Sequence, residues 1–176
     1  MKNTLNIRSF AIISVIFAGI LFRFIPHYPN FTPIAAIALF SGAFLNKKYL
    51  AYFIPLIIMF LSDLIIGFHS TMIFVYLSIA ITVLMGNVLL KKIKTVNVVG
   101  ASLLSSSLFF IITNFGMWAT TNLYPKDFNG LLQAYTMAIP FFNNGIMGDA
   151  FYSLLILGAF SFVDNKYLKT NIITNK

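Results

Sequence analysis

The chain has no cysteine and no glutamate, and only four acidic side chains among its 176 residues, all aspartate. Without cysteine there are no disulfides, no thiolate metal sites and no cysteine nucleophile. Charged residues make up 9% of the sequence, too few to coat a soluble domain of this length. No GxxxxGK[ST] stretch occurs, so the chain lacks the phosphate cradle of a P-loop ATPase. No polar linker divides it. Its two halves do not resemble each other, which speaks against an inverted-repeat transporter. What is present is apolar: 59% of residues are hydrophobic and the mean hydropathy is +0.89. The composition is that of an all-α integral membrane protein, one polytopic domain over residues 1–176 in contact with the lipid bilayer. In that setting the net charge of +8 reports orientation, and nucleic acid is not an expected partner.

A helix needs about 20 residues to cross a bilayer core of ~30 Å. Apolar runs at 7–24, 32–45, 49–67, 71–90 and 96–118 give five spans. The second is short, about 21 Å at 1.5 Å per residue. Lys2 and Arg8 ahead of the first run resemble a signal peptide. Arg23 and Pro26 follow it, however, with no small-x-small cleavage site, so it reads as a retained helix. Residues 130–163 would make a helix of about 51 Å, too long for one crossing. The cluster Pro140-Phe-Phe-Asn-Asn-Gly-Ile-Met-Gly148 predicts a break. It leaves a short extra half-helix at 130–139 before a sixth and last transmembrane helix at 146–163. In this arrangement ten basic residues (Lys2, Arg8, Lys47, Lys48, Lys91, Lys92, Lys94, Lys166, Lys169 and Lys176) fall on one side. Only Arg23 and Lys126 fall on the other. The positive-inside rule then places both termini of six transmembrane helices in the cytoplasm.

The costly polar groups gather near the opposite, outer ends of the spans. Arg23 and His27 end the first, and Asn30 and Thr32 open the second. Asp63 lies about a turn inside the third, and His69 follows it. Thr113, Asn114 and Trp118 close the fifth, and Asn143, Asn144 and Asp149 open the last. The cytoplasmic halves are nearly pure hydrocarbon apart from serines. This asymmetry predicts an outward-facing polar pocket rather than a pore, which needs polar groups at every depth. The candidate substrate-binding residues are therefore Arg23, His27, Asn30, Asp63, His69, Asn114, Trp118, Asn143, Asn144 and Asp149.

Each of these has a structural alternative. Asp63 is a salt-bridge partner for Arg23 or a ligand contact. Asp149 is an N-cap for the last helix or a binding group. His27 and His69 are interfacial side chains, pH sensors or a metal pair, with the interfacial role preferred and no metal site assigned. Trp118, Tyr124 and Tyr28 suit an interfacial aromatic belt. Asn114 needs an amide partner, either a neighbouring helix or a ligand. Ala35, Ala38 and Gly42 form a small-residue face that serves either packing within the chain or docking of another membrane subunit. In "RFIPHYPNFTP" (23–33), Pro26 and Pro29 hold the loop extended and Asn30 or Thr32 is placed to cap the next helix.

The blocks "RFIPHYPNFTPIAAIALFSGA", "SDLIIGFH", "TNFGMWATTNLYP" and "AIPFFNNGIMGDAFY" together resemble a bacterial family of small membrane proteins of unknown function, the DUF6580 type, regarded as transport proteins. The likeness spans roughly residues 20–160. That family in turn resembles the substrate-binding S components of energy-coupling factor importers. The resemblance implies a six-helix, multi-pass protein of the bacterial inner (plasma) membrane. Such a protein captures a vitamin or cofactor precursor from outside. It docks on a transmembrane coupling subunit driven by two ATPases, and it needs neither a cofactor nor an enzymatic activity of its own. S components usually carry an alanine-rich docking signature in the first span. Here that span offers only Ala11, Ala18 and Gly19, and the second is richer. Metal-importing relatives use an N-terminal histidine-rich loop, which Met1-Lys-Asn-Thr-Leu-Asn6 lacks. On this reading loops 119–126 and 28–30 gate the pocket. A structural or assembly subunit, and an intramembrane enzyme using Asp63 and Asp149, are the competing readings.

Overall fold

The computed structural model describes residues 14, 17–26, 28–45 and 47–163. Among them the chain is all-helical, with no strand. It runs through a helix seen over 17–24 (α1), then Ile34–Phe44 (α2), Lys48–Ile66 (α3), Met72–Leu89 (α4), Thr95–Thr120 (α5) and Phe128–Val163 (α6). The first half of the expected first span and the tail lysines lie outside the described residues. Helices α3, α4 and α5 are long and apolar enough to cross a membrane. Their outward faces carry large exposed apolar side chains such as Ile65, Ile73 and Leu104, as hydrocarbon solvent permits.

The short α2 is the centre of the fold. Nine of its eleven residues are buried, and it touches α3, α4, α5 and α6. Two glycines set its approach to α4. A Cβ on Gly42 would lie 1.9 Å from the Val83 carbonyl oxygen, and one on Gly86 would lie 2.2 Å from that of Leu39. Each helix thus presents a bare backbone patch to the other, and no side chain fits between them. Ala35 and Ala38 are buried on the same helix. The small-residue face of Ala35, Ala38 and Gly42 is therefore taken up by packing within the chain. The packing alternative thus has these contacts behind it, with Ala35 also reaching the cavity wall.

The expected break at 140–148 is absent. Helix α6 runs unbroken through Pro140 for 36 residues, about 54 Å at 1.5 Å per residue. Pro140 forfeits one backbone hydrogen bond, to the Thr136 carbonyl. Unwinding nine residues in an apolar setting would strand many more backbone groups, each worth several kcal/mol. There is accordingly no separate half-helix. The glycines of the cluster serve a close approach instead. A Cβ on Gly148 would sit 2.9 Å from the Phe31 Cα, and one on Gly145 would sit 3.7 Å from the Asn30 Cβ. The loop between α1 and α2 leans on α6 there, with the Phe31 ring against Phe151 and Tyr152.

The capping expectations also change. Pro33 occupies the N-cap position of α2 and no side chain caps it. Asn30 instead adopts a left-handed backbone, φ 64°, a conformation its short amide side chain tolerates. Helix α6 is capped by Asp127, whose Oδ1 accepts from the Gly130 amide at 2.7 Å. Asp149 lies deep within α6 and caps nothing. The sequence cluster had suggested a helix start there, and the helix starts some twenty residues earlier.

Candidate functional site

Between the helix ends away from Lys47–Lys48 and Lys91–Lys94 lies a cavity of about 560 Å³. Every helix contributes to its wall. Helix α1 supplies Arg23, and the following loop supplies Asn30. Helix α2 gives Ala35, and α3 gives Met59 and Ile66. His69 and Thr71 come from the turn into α4. Helix α5 gives Ser106, Phe109, Phe110, Thr113 and Asn114. Helix α6 gives Phe141, Phe142 and Asp149.

Arg23 is anchored. Its Nη2 lies 2.7 Å from Asp63 Oδ1, an ion pair in which Asp63 is fully buried. The Tyr76 hydroxyl donates to the other carboxylate oxygen at 2.9 Å. The second guanidinium nitrogen rests against the Met59 sulfur. Helices α1, α3 and α4 are thereby joined by one charge-assisted network. The salt-bridge alternative for Asp63 holds. Asp63 itself does not line the cavity; it stands behind Arg23.

Asp149 occupies the α5–α6 seam. It is 7% exposed, and its Oδ2 accepts from the Ser106 hydroxyl at 2.6 Å. Among the described residues no donor reaches its other oxygen, and no basic side chain pairs with it. Asn114 donates its amide to the Phe110 carbonyl one turn back, at 2.8 Å. Its partner is thus its own helix, and its carbonyl oxygen remains for the cavity. His69 is exposed, with Nδ1 2.8 Å from the Thr71 hydroxyl. Asn30 reaches the Phe141 carbonyl at a long 3.5 Å. Among the described residues no three His, Cys, Asp or Glu side chains come together as a metal site.

Besides Asp63, three expected residues stand away from the cavity wall. Trp118 does not face the cavity; its indole N–H donates to the Pro125 carbonyl at 2.8 Å. That bond folds the α5–α6 loop against the end of α5. Lys126 reinforces it by donating to the carbonyls of Trp118 and Thr121, the last acceptors of α5, where a cation also suits the helix dipole. The loop so fixed still presents Leu123 and Tyr124 to the cavity. Asn143 is exposed and Asn144 half-buried, and neither lines the cavity, because an unbroken helix turns them away from it. His27 lies outside the described residues.

Sequence reasoning missed Ser106 and the aromatic wall. Their signal was present: Ser106, Phe110, Thr113, Asn114 and Met117 recur at three- and four-residue steps, which places them on one face of α5.

Helices throughout the described residues, three of them of spanning length, with apolar outer faces and a polar-floored cavity at one end, place the chain in the helical class of membrane proteins. The model of DUF6580, a family of unknown function, matches residues 3–171, and the chain belongs to that family. No curated protein and no solved structure matches it.

Proposed function

We propose that the chain is a solute-capture subunit of the energy-coupling factor S-component type, set in the bacterial inner membrane. Six helices cross the membrane with both termini in the cytoplasm, and the cavity opens outward. It takes up a small solute of the vitamin or cofactor-precursor class and hands it to a transmembrane coupling subunit worked by ATPases. One observation carries this reading: the cavity of about 560 Å³ lies at the helix ends remote from the lysine pairs. Its volume is typical of small-molecule sites, as is a mostly apolar wall with a few convergent polar groups. Arg23, Asn30, His69, Asn114 and Asp149 orient the solute by hydrogen bonds and charge, and the phenylalanines stack on it. Loops 28–30 and 121–127 flank the entrance.

Native mass spectrometry of the gently purified protein tests the proposal. A bound small-molecule mass, with or without a coupling subunit, is the expected result. A partner protein with no solute in repeated preparations would overturn it in favour of an assembly role.

A further inference from the structure

We infer that the solute carries a positive charge on or beside a ring, a protonated amine or a cationic nitrogen heterocycle, and that Asp149 is its counterion. The inference rests on the capture reading above and specifies its ligand chemistry. It starts from charge balance within the cavity. Arg23 brings a cation to the wall, but Asp63 neutralises it at 2.7 Å and Tyr76 occupies the second carboxylate oxygen. The charges of Arg23 and Asp63 thus cancel without a ligand. Asp149 has no such complement. It is more than nine-tenths buried, lines the cavity, and holds one hydroxyl, Ser106 Oγ, on one oxygen.

A carboxylate in an apolar surround is kept ionised by a counter-charge or several donors. Among the described residues the other titratable groups on the wall are His69 and Tyr124. His69 stands at the exposed entrance, engaged with Thr71, and Tyr124 belongs to the α5–α6 loop. The cavity that Asp149 lines also has aromatic walls: Phe109, Phe110 and Phe142 line it, with the Phe110 and Phe142 ring centroids 4.6 Å apart. A carboxylate and aromatic rings sharing one cavity suit an organic cation, which ion pairs with the first and makes cation–π contact with the second. An anionic solute would meet a neutralised Arg23 and an unneutralised Asp149.

The test uses the full chain in detergent or nanodiscs and three probes of similar shape: benzylammonium, benzyl alcohol and benzoate. Calorimetry is expected to rank benzylammonium first by about tenfold or more, the scale of one charged contact. Asp149→Asn, which keeps the shape and the Ser106 contact, is expected to erase that preference by weakening benzylammonium far more than benzyl alcohol. Asp149→Ser, smaller and also uncharged, is expected to erase the preference in the same way, and it decides the matter if Asp149→Asn does not fold. Equal or tighter binding of benzoate or benzyl alcohol would overturn the cation assignment while solute capture stands. So would a cation preference that survives in both Asp149→Asn and Asp149→Ser. Failure of all three probes to bind, together with no co-purifying solute, would overturn both.

Discussion

At the scale of single residues, the two aspartates expected in the site, Asp63 and Asp149, have different roles. Asp63 is fully buried and satisfied by Arg23 and Tyr76, so its loss leaves a guanidinium without its counter-charge. Breaking a buried pair on one side costs about 3–5 kcal/mol. Asp63→Ala is therefore expected to lower the melting temperature and the yield of folded protein. Arg23→Met combined with Asp63→Ala should recover part of the loss, because it removes both charges. A double-mutant cycle on thermal unfolding checks this; additive effects would disprove the coupling. Asn114 differs in kind. It bonds within its own helix and faces the cavity. Asn114→Ala is expected to leave stability within about 1 kcal/mol and to weaken binding of whatever solute co-purifies. Trp118→Phe, which removes a loop hydrogen bond outside the cavity wall, is expected to show the reverse: a stability loss of about 1 kcal/mol and little change in affinity.

At the scale of elements, the fold depends on how closely α2 and α4 approach. Gly42→Ala and Gly86→Ala each place a methyl group within about 2 Å of a facing carbonyl oxygen. Neither backbone can yield as a side chain would, so overpacking costs of about 1–3 kcal/mol or more are expected. Gly100→Ala meets nothing within 4 Å and should be neutral, or stabilising by up to ~1 kcal/mol through helix propensity. Thermal unfolding of the three variants side by side is the measurement. Equal stabilities would refute the crossing.

The small residues of α2 were visible in the sequence, but their use was not. Ala38 and Gly42 look the same whether they meet a helix of this chain or of another. Span positions for α3, α4 and α5 were legible to within two residues because apolar length and lysine punctuation agree there. Helix α6 was not, because proline and glycine signal breaks in water. Beside α5 the continuous hydrogen-bonded backbone is the cheaper state. The same misreading placed Asn143 and Asn144 in the site and made Asp149 look like a cap. The Arg23–Asp63 pair was legible from charge scarcity alone, since so few charges on that side leave few partners. The aromatic and serine face of α5 required the helical period to be applied to polar as well as apolar positions.

At the scale of the whole molecule, function turns on which way the bundle faces. Lys47–Lys48 and Lys91–Lys94 mark one end; the cavity and loop 121–127 mark the other. If the positive-inside rule governs this chain, an importer's cavity faces the medium. The natural absence of cysteine makes this directly measurable, since any introduced thiol is the one reactive site. Leu123→Cys sits on the exposed loop beside the cavity, and Lys92→Cys sits on the exposed turn at the opposite end. In intact cells a membrane-impermeant maleimide is expected to label Leu123→Cys and not Lys92→Cys; permeabilisation should then expose the second. Solute added beforehand should slow labelling at position 123, because Leu123 contributes to the cavity wall. The reverse labelling pattern would point the cavity at the cytoplasm, where an importer has no use for a capture site, and would remove the basis for the transport proposal.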